Sequence, residues 1–147
     1  ANAKILSETL KNNGFKIYSG GTDTHLMLVD LRPFNVKGNL AAESLSRANI
    51  TCNKNGIPFD SESPMITSGI RLGSQAATTR GFGLKEFEKV GELITKVIDG
   101  LSKNPNDNSK VEDEIRKEVV SLCSSFPIYK NLRKWFVQFA KKEKLQL

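Results

Sequence analysis

The longest segment with a regular apolar spacing lies between residues 84 and 101, and it constrains the fold more than any other feature of the sequence. Apolar side chains recur there every three or four positions, at Leu84, Phe87, Val90, Ile94, Val97 and Leu101. This spacing predicts an α-helix with one apolar face, which must be buried against another layer of the protein. The chain has 147 residues, which is enough to bury the core of one domain.

Two helices are predicted before this segment. Residues 3–12 have an apolar face and end at Asn13-Gly14, where glycine accepts the left-handed backbone angles that close a helix. Residues 39–48 form the second predicted helix, with Asn39 as its N-cap.

Two more helices are predicted after it. Ser109 and Glu112 have the spacing of a capping box, and the helix that begins there ends at Phe126-Pro127. A last helix is predicted over residues 130–142. Its apolar stripe consists of Leu132, Trp135, Phe136 and Phe139.

Short apolar runs between the helices predict strands. Residues 25–31 form a buried strand that ends before Pro33, and residues 50–52 and 68–72 form two others. Residues 53–65 are rich in turn-forming residues and predict a loop. We therefore expect an α/β chain of the α+β sandwich type, in which several helices pack on a small sheet of short strands. The strand order does not follow from these patterns.

The net charge of +6 is concentrated at the end of the chain, where residues 130–147 contain six basic residues and one acidic residue. A basic tail is able to bind nucleic acid or an anionic membrane, but such a run more often forms a solvated helix face. The aromatic residues of this segment fall on its apolar stripe, which favours a role in the core. A non-enzymatic nucleic-acid-binding module remains an alternative at this stage.

The cysteine and histidine content argues against a metal site. Cys52 and Cys123 lie far apart in sequence and His25 is the single histidine, so we expect reduced thiols and no zinc. His25 is predicted to be a hydrogen-bonded structural residue, with a general base as the alternative.

Since no apolar run approaches the length of a membrane span and residues 1–13 lack the apolar core of a signal peptide, we expect a cytoplasmic protein.

One arginine stands out in an otherwise apolar strand. Arg71 lies between Gly69 and Gly73, and burial of its guanidinium would be costly unless an anion were bound. The planar guanidinium matches a carboxylate through two parallel hydrogen bonds, and the glycines allow a ligand or another backbone to come close. The residues alone leave two possibilities open, an internal salt bridge or an anion site.

A second candidate is the turn-rich segment that contains Asn55. Asparagine and glycine in such a segment are usually turn residues. The amide of Asn55 also offers a donor and an acceptor together, which suits the edge of a heterocycle.

Four blocks of sequence together resemble the serine hydroxymethyltransferase family. One block alone would carry little weight, but all four occur in the order and at the spacing that the family has. The likeness covers residues 1–101 and is weaker beyond them. The blocks are residues 20–26, residues 53–55 with Pro58, residues 63–73 and residues 79–82.

The resemblance implies the aminotransferase-like fold of type I pyridoxal-phosphate enzymes, with a short, mostly antiparallel sheet and helices packed on it. Residues 1–147 would be their small C-terminal domain, a fragment that lacks the large cofactor-binding domain. That the chain begins with Ala1 rather than with methionine, directly before a predicted helix, favours the same interpretation. The family interconverts serine and glycine and carries the one-carbon unit on tetrahydrofolate. We therefore expect these small-molecule partners and a homodimer or dimer of dimers, with neither nucleic acid nor membrane as a partner.

The resemblance also assigns roles to residues of this chain. Arg71 would bind the carboxylate of the amino-acid substrate, and Asn55 would contact the pterin of the folate. Ser63, Pro64 and Met65 would line the folate site. No catalytic residue is expected here, because the Schiff-base lysine, ring-stacking histidine and pyridine-nitrogen aspartate of the family belong to the large domain. We expect the chain alone to be inactive.

The sequence departs from the family pattern at two places. Thr24 stands where family members commonly have asparagine, and Ser74-Gln75 stands where they often have Thr-Pro. Loss of that proline is expected to loosen the turn after the arginine strand.

The small domain of another pyridoxal-phosphate enzyme, such as an aminotransferase, is a further alternative. The segment 53–55, which the family uses for folate, argues against it.

Overall fold

The computed structural model describes residues 1–128, which form helices packed on one small sheet. The helices of this part of the chain are α1 (Asn2–Asn12), α2 (Gly38–Arg47), α3 (Gln75–Arg80), α4 (Leu84–Lys103) and α5 (Ser109–Ser124). The strands are β1 (Lys16–Ile17), β2 (Leu26–Asp30), β3 (Asn53–Asn55) and β4 (Gly69–Gly73). Single 3₁₀ turns follow β1 and β2, at Tyr18–Gly20 and Arg32–Phe34.

The sheet has the order β1-β2-β4-β3, and each neighbouring pair is antiparallel. Side chains alternate between its faces, as strand geometry requires. Met27 and Val29 of β2 and Ile70 and Leu72 of β4 are buried on the helix side. Arg71 is exposed on the opposite face. The expected α+β fold with an antiparallel sheet and helices packed on it is confirmed.

The core depends on close packing between α1 and α4. The predicted apolar stripe of α4 is buried at Phe87, Ile94, Val97 and Leu101. A Cβ added at Gly91 would lie 2.7 Å from the Thr9 methyl group. The absence of a side chain at this position therefore allows the two helices to approach each other.

A buried polar network joins α2, α4 and α5. The carboxylate of Glu112 accepts hydrogen bonds from Ser44 Oγ at 2.6 Å and from Arg47 Nε at 2.7 Å. Asn108 Nδ2 donates to Ser44 Oγ at 3.0 Å and to the Val97 carbonyl at 2.9 Å. The Arg47 guanidinium and the Ser44 hydroxyl hold the pKa of Glu112 below its usual value, although burial opposes them. The stability that this ion pair provides is therefore present at neutral pH and lost in acid.

The predicted capping box at Ser109 and the predicted N-cap at Asn39 are both wrong. Glu112 does not pair with Ser109, because its side chain is used by α2, and the backbone N–H of Ser109 donates to Asp107 Oδ1. Asn39 does not cap α2, which begins at Gly38. The first N–H groups of that helix donate instead to the carbonyls of Thr67 and Ile66, both at 2.9 Å.

Two further predictions of local structure are corrected. Residues 50–52 form no strand, whereas β3 lies at the start of the segment that was expected to be a loop. Its three residues are polar, so apolar alternation gave no signal for it. The short helix α3 has no long apolar repeat and was not expected. The helix expected over residues 130–142 lies outside the described residues.

Within residues 1–128, no helix combines the length and the apolar character that a membrane crossing requires.

Replacement of Glu112 by glutamine should lower the free energy of unfolding by about 1–3 kcal/mol, the range for loss of a hydrogen bond to a charged group. Urea unfolding of the 147-residue chain, followed by circular dichroism, measures this change. Asp113→Asn is the matched control, because Asp113 lies next to it on α5 and pairs with Arg116 at the surface. We expect that control to stay within about 0.5 kcal/mol. Equal effects of the two substitutions would contradict the role given to the network.

Candidate functional site

Arg71 lies at the centre of the sheet face that points away from the core. It is opposite Leu28 of β2 and Asn53 of β3. Its Nη2 donates to Asn53 Oδ1 at 3.1 Å, and no carboxylate of the described residues lies within 4 Å of its nitrogens. The guanidinium is exposed rather than buried, and no internal salt bridge forms within residues 1–128. Most of its five N–H donors therefore remain available to an anion.

Gly69 and Gly73, the glycines on either side of Arg71, have different surroundings. A Cβ at Gly69 would lie 2.7 Å from the Val29 carbonyl oxygen, so this glycine allows the neighbouring backbone to approach. A Cβ at Gly73 would meet the flexible Gln75 side chain at 2.7 Å and Leu26 Cδ2 at 3.0 Å. Neither glycine has a side chain of its own beside the guanidinium, and the side chains of Ile57 and Gln75 lie over these two positions instead.

A pocket of about 420 Å³ lies next to β3 and brings together most of the residues expected to contact folate. Asn55, Ser63 and Pro64 line it. Met65 does not, since its side chain is 73% exposed and its carbonyl accepts a hydrogen bond from Lys54 Nζ at 2.6 Å. The remaining lining residues are Lys54, Gly56, Asp60, Glu62 and Thr67.

The amide of Asn55 makes one local hydrogen bond. Its Nδ2 donates to the carbonyl of Gly56 at 2.8 Å, as expected of a turn residue. The pairing of β3 with β4 places Asn55 opposite Gly69, on the same face of the sheet as Arg71. The amide therefore has a structural role and also lines the pocket.

Sequence reasoning missed Asp60, which has the densest hydrogen bonding in this region. Its carboxylate accepts hydrogen bonds from the backbone N–H groups of Ile57, Glu62 and Ser68 and from the Ser68 hydroxyl. Burial opposes ionisation, but these hydrogen bonds outweigh it and hold the pKa of Asp60 well below its usual value. The sequence signal for this role was an aspartate in a turn-rich segment. The carboxylate of such a residue often accepts a hydrogen bond from the N–H two residues later, as in an Asx turn.

The backbone carbonyl of His25, rather than its side chain, holds the turn that follows β4. Its side chain is exposed and forms no hydrogen bond with residues 1–128, so the expected structural bond of the imidazole is not found there. Its carbonyl accepts a hydrogen bond from the Ser74 N–H at 2.9 Å. This bond joins the start of β2 to the turn after β4, and α3 begins directly at Gln75. The turn is therefore held in place without the proline that the family often has there.

The block at residues 79–82 holds α3 against α5. Arg80 Nη2 donates to the carbonyl of Cys123 at 2.9 Å, and its Nε donates to that of Phe126. Phe82 is buried and packs on Phe87 and Phe126. Arg80 thus satisfies carbonyls at the C-terminal end of a helix, which is a structural role.

The described residues do not fit a cradle for pyridoxal phosphate. On the Arg71 face, Lys16 lies 3.8 Å from the Asp30 carboxylate. The N-terminal N–H groups of α2 donate to loop carbonyls, and the Gly83 N–H before α4 donates to Glu86. The starts of α2 and α4 therefore already use N–H groups that a phosphate would need.

Residues 1–128 also hold no group of three side chains suited to a metal ion. Cys52 and Cys123 are free thiols, and burial raises the pKa of Cys52 to about 11.

Comparison with known proteins gives a consistent result. The family model described as serine hydroxymethyltransferase matches residues 1–94. A serine hydroxymethyltransferase of Pelagibacter ubique (strain HTCC1062) is 86% identical over 133 residues, which is 90% of this chain and 30% of that protein. One of Marinomonas sp. (strain MWYL1) is 61% identical over 130 residues, 88% of this chain and 31% of that protein. The chain therefore spans about 30% of the length of these relatives.

The two glycines that flank Arg71 should differ in their tolerance of a methyl group. Gly69→Ala should lower the free energy of unfolding by about 1–3 kcal/mol, because its Cβ meets rigid backbone. Gly73→Ala is the matched control and should cost clearly less, because the Gln75 side chain is able to move. Urea unfolding of both variants measures the difference. An equal or larger cost at Gly73 would contradict the described packing of β4.

Proposed function

Because the chain belongs to the serine hydroxymethyltransferase family, we propose that it is the substrate-side domain of an enzyme that transfers a one-carbon unit between serine or glycine and tetrahydrofolate. The observation that carries this proposal is the position of Arg71, exposed on the sheet face that points away from the core, with an amide as its partner. The family match favours this function over the small domain of an aminotransferase and over a nucleic-acid-binding module. The basic tail that suggested the latter lies outside the described residues.

Arg71 would bind the α-carboxylate of serine or glycine. Its planar guanidinium forms two parallel hydrogen bonds with a carboxylate, a geometry that fixes orientation as well as position. The contact with Asn53 supports this role, because a neutral amide orients the guanidinium without neutralising its charge. A carboxylate partner at position 53 would compete with the substrate, whereas an amide leaves the charge available.

The Asn55 pocket would bind the folate. Its volume of about 420 Å³ lies within the usual range for small-molecule sites. The amide of Asn55 has a donor and an acceptor that match the edge of a pterin ring. Ser63 and Pro64 would form the opposite part of the wall. Met65 contributes to this pocket through its backbone, by fixing Lys54, rather than through its side chain.

The contribution of this chain to catalysis would be positioning. Arg71 would hold the amino acid while the Asn55 pocket holds the carrier of the one-carbon unit, and such placement accounts for much of the rate of two-substrate reactions. Pyridoxal phosphate, when bound by the longer protein, supplies the electron sink for the chemistry. Since the described residues do not fit that cofactor, we propose that residues 1–147 are inactive alone and act within a longer, cytoplasmic, homodimeric enzyme.

Arg71→Lys in the full-length enzyme should reduce kcat/KM for serine by an amount corresponding to about 2–5 kcal/mol. Lysine keeps the charge but lacks the planar pair of donors. Steady-state kinetics with varied serine measures the effect, and Arg116→Lys on the surface of α5 is the control that should change nothing. Near-normal serine kinetics in Arg71→Lys would overturn the carboxylate assignment.

Asn55→Ala should raise the KM for tetrahydrofolate about tenfold, the effect of losing one or two hydrogen bonds. Glycine affinity, measured in the absence of folate, should remain within about twofold because the amino-acid site depends on Arg71. Asn12→Ala, at the exposed end of α1, is the control. If folate and glycine binding weaken together, Asn55 is only a turn residue.

A further inference from the structure

We propose that Asp60 is a positioning residue that holds the Asn55 pocket at a fixed distance from the strand carrying Arg71. This inference rests on the proposed function, in which the pocket binds the folate and Arg71 binds the amino acid. Asp60 would act without contacting the reacting atoms, through the loop of residues 56–67 that forms the pocket wall.

The hydrogen bonds of Asp60 join both ends of this loop. Its Oδ2 accepts from the N–H of Ile57 at 3.1 Å and from that of Ser68 at 2.9 Å. Its Oδ1 accepts from the N–H of Glu62 at 3.0 Å and from the Ser68 hydroxyl at 2.6 Å. One carboxylate thus connects the residues that follow β3 to the residue that precedes β4.

The connection reaches the sheet through Ser68. The Ser68 carbonyl accepts a hydrogen bond from the Leu31 N–H at 2.9 Å, so this residue is fixed to the end of β2. Arg71 follows three residues later on β4. At the other end, a Cβ placed on Gly56 would lie 3.8 Å from Asp60 Oδ2, which puts the carboxylate beside the residue that follows Asn55.

Other contacts hold a different part of the loop. The carbonyls of Ile66 and Thr67 accept from the start of α2, and Lys54 donates to the Met65 carbonyl. Glu62 pairs with Lys37 through its side chain. Within residues 1–128, the hydrogen bonds of residues 57–61 other than those to the Asp60 carboxylate are the 3.0 Å turn bond from the Asp60 N–H to the Ile57 carbonyl and a long 3.4 Å contact from Tyr18 to Pro58. The first half of the loop is therefore held mainly by the Asp60 carboxylate, together with the buried Ile57 side chain that packs over Gly69.

A purely structural role would give a different result from a positioning role. General destabilisation lowers the amount of folded enzyme and leaves both KM values of the remaining enzyme unchanged. Loss of positioning raises the KM for folate selectively, because Arg71 is held by β2 and β3 as well as by the loop end. The ratio of the two KM values therefore separates these roles.

The experiment compares Asp60→Asn with Asp107→Asn in the full-length enzyme. Asparagine keeps the shape but only one of the two acceptor oxygens. Asp107 is the matched control, since it accepts the N–H of Ser109 at 3.0 Å in the same kind of turn, far along the chain at the start of α5. We expect Asp60→Asn to raise the KM for tetrahydrofolate about tenfold, with the KM for serine within about twofold and no change in Asp107→Asn.

Ser68→Ala provides a second variant in case Asp60→Asn does not fold. It removes one of the four hydrogen bonds and should raise the KM for tetrahydrofolate about two- to fourfold. An unchanged folate KM in the variants that fold, or an equal rise in both KM values, would overturn the proposal.

Asn55→Ala distinguishes failure of the positioning role of Asp60 from failure of the proposed folate site. If it raises the folate KM and Asp60→Asn does not, the positioning role alone fails, whereas no effect of Asn55→Ala would remove the folate pocket and this proposal together.

Discussion

The antiparallel pairing of β2 with β4 is the interaction on which the rest of the structure depends. Its register places Met27 opposite Leu72 and Val29 opposite Ile70, so that four apolar side chains face the helices. The same register places Arg71 on the other face, opposite Leu28. A shift of one residue would exchange the faces and bury the guanidinium. The burial of the core and the exposure of the candidate anion site are therefore two results of one constraint.

The helix side of the sheet forms the stable core, and the opposite side carries the candidate functional residues. On one side, α1 and α4 pack closely at Gly91, and the Glu112 network joins α2 and α5 to α4. On the other side, the sheet presents Arg71 and, through β3, leads to the Asn55 pocket. Loops that carry functional residues are usually positioned by such a rigid scaffold.

Local patterns were sufficient to predict the main elements of the fold. The helix at residues 84–101 has six apolar residues on one stripe, and the strands at Leu26–Asp30 and Gly69–Gly73 are short apolar runs. The same reasoning failed for β3, whose polar residues pair at the sheet edge, and for Glu112, whose partners Ser44 and Arg47 lie more than sixty residues away. Such long-range hydrogen bonds leave no periodic signal in the sequence.

The site could be predicted only in part for the same reason. Arg71 was prominent because a charged residue interrupts an apolar strand, and family resemblance drew attention to Asn55, Ser63 and Pro64. Neither route indicated Asn53 as the partner of Arg71 or Asp60 as the acceptor of four hydrogen bonds, since both depend on how β3 and the loop fold onto β4.

A crystal structure of the full-length enzyme with glycine and a folate bound tests the central claim most directly. We expect the Arg71 guanidinium to form two hydrogen bonds with the glycine carboxylate at about 2.7–2.9 Å, with the pterin in contact with Asn55. A glycine carboxylate bound elsewhere, with Arg71 in contact with Asn53 alone, would contradict it.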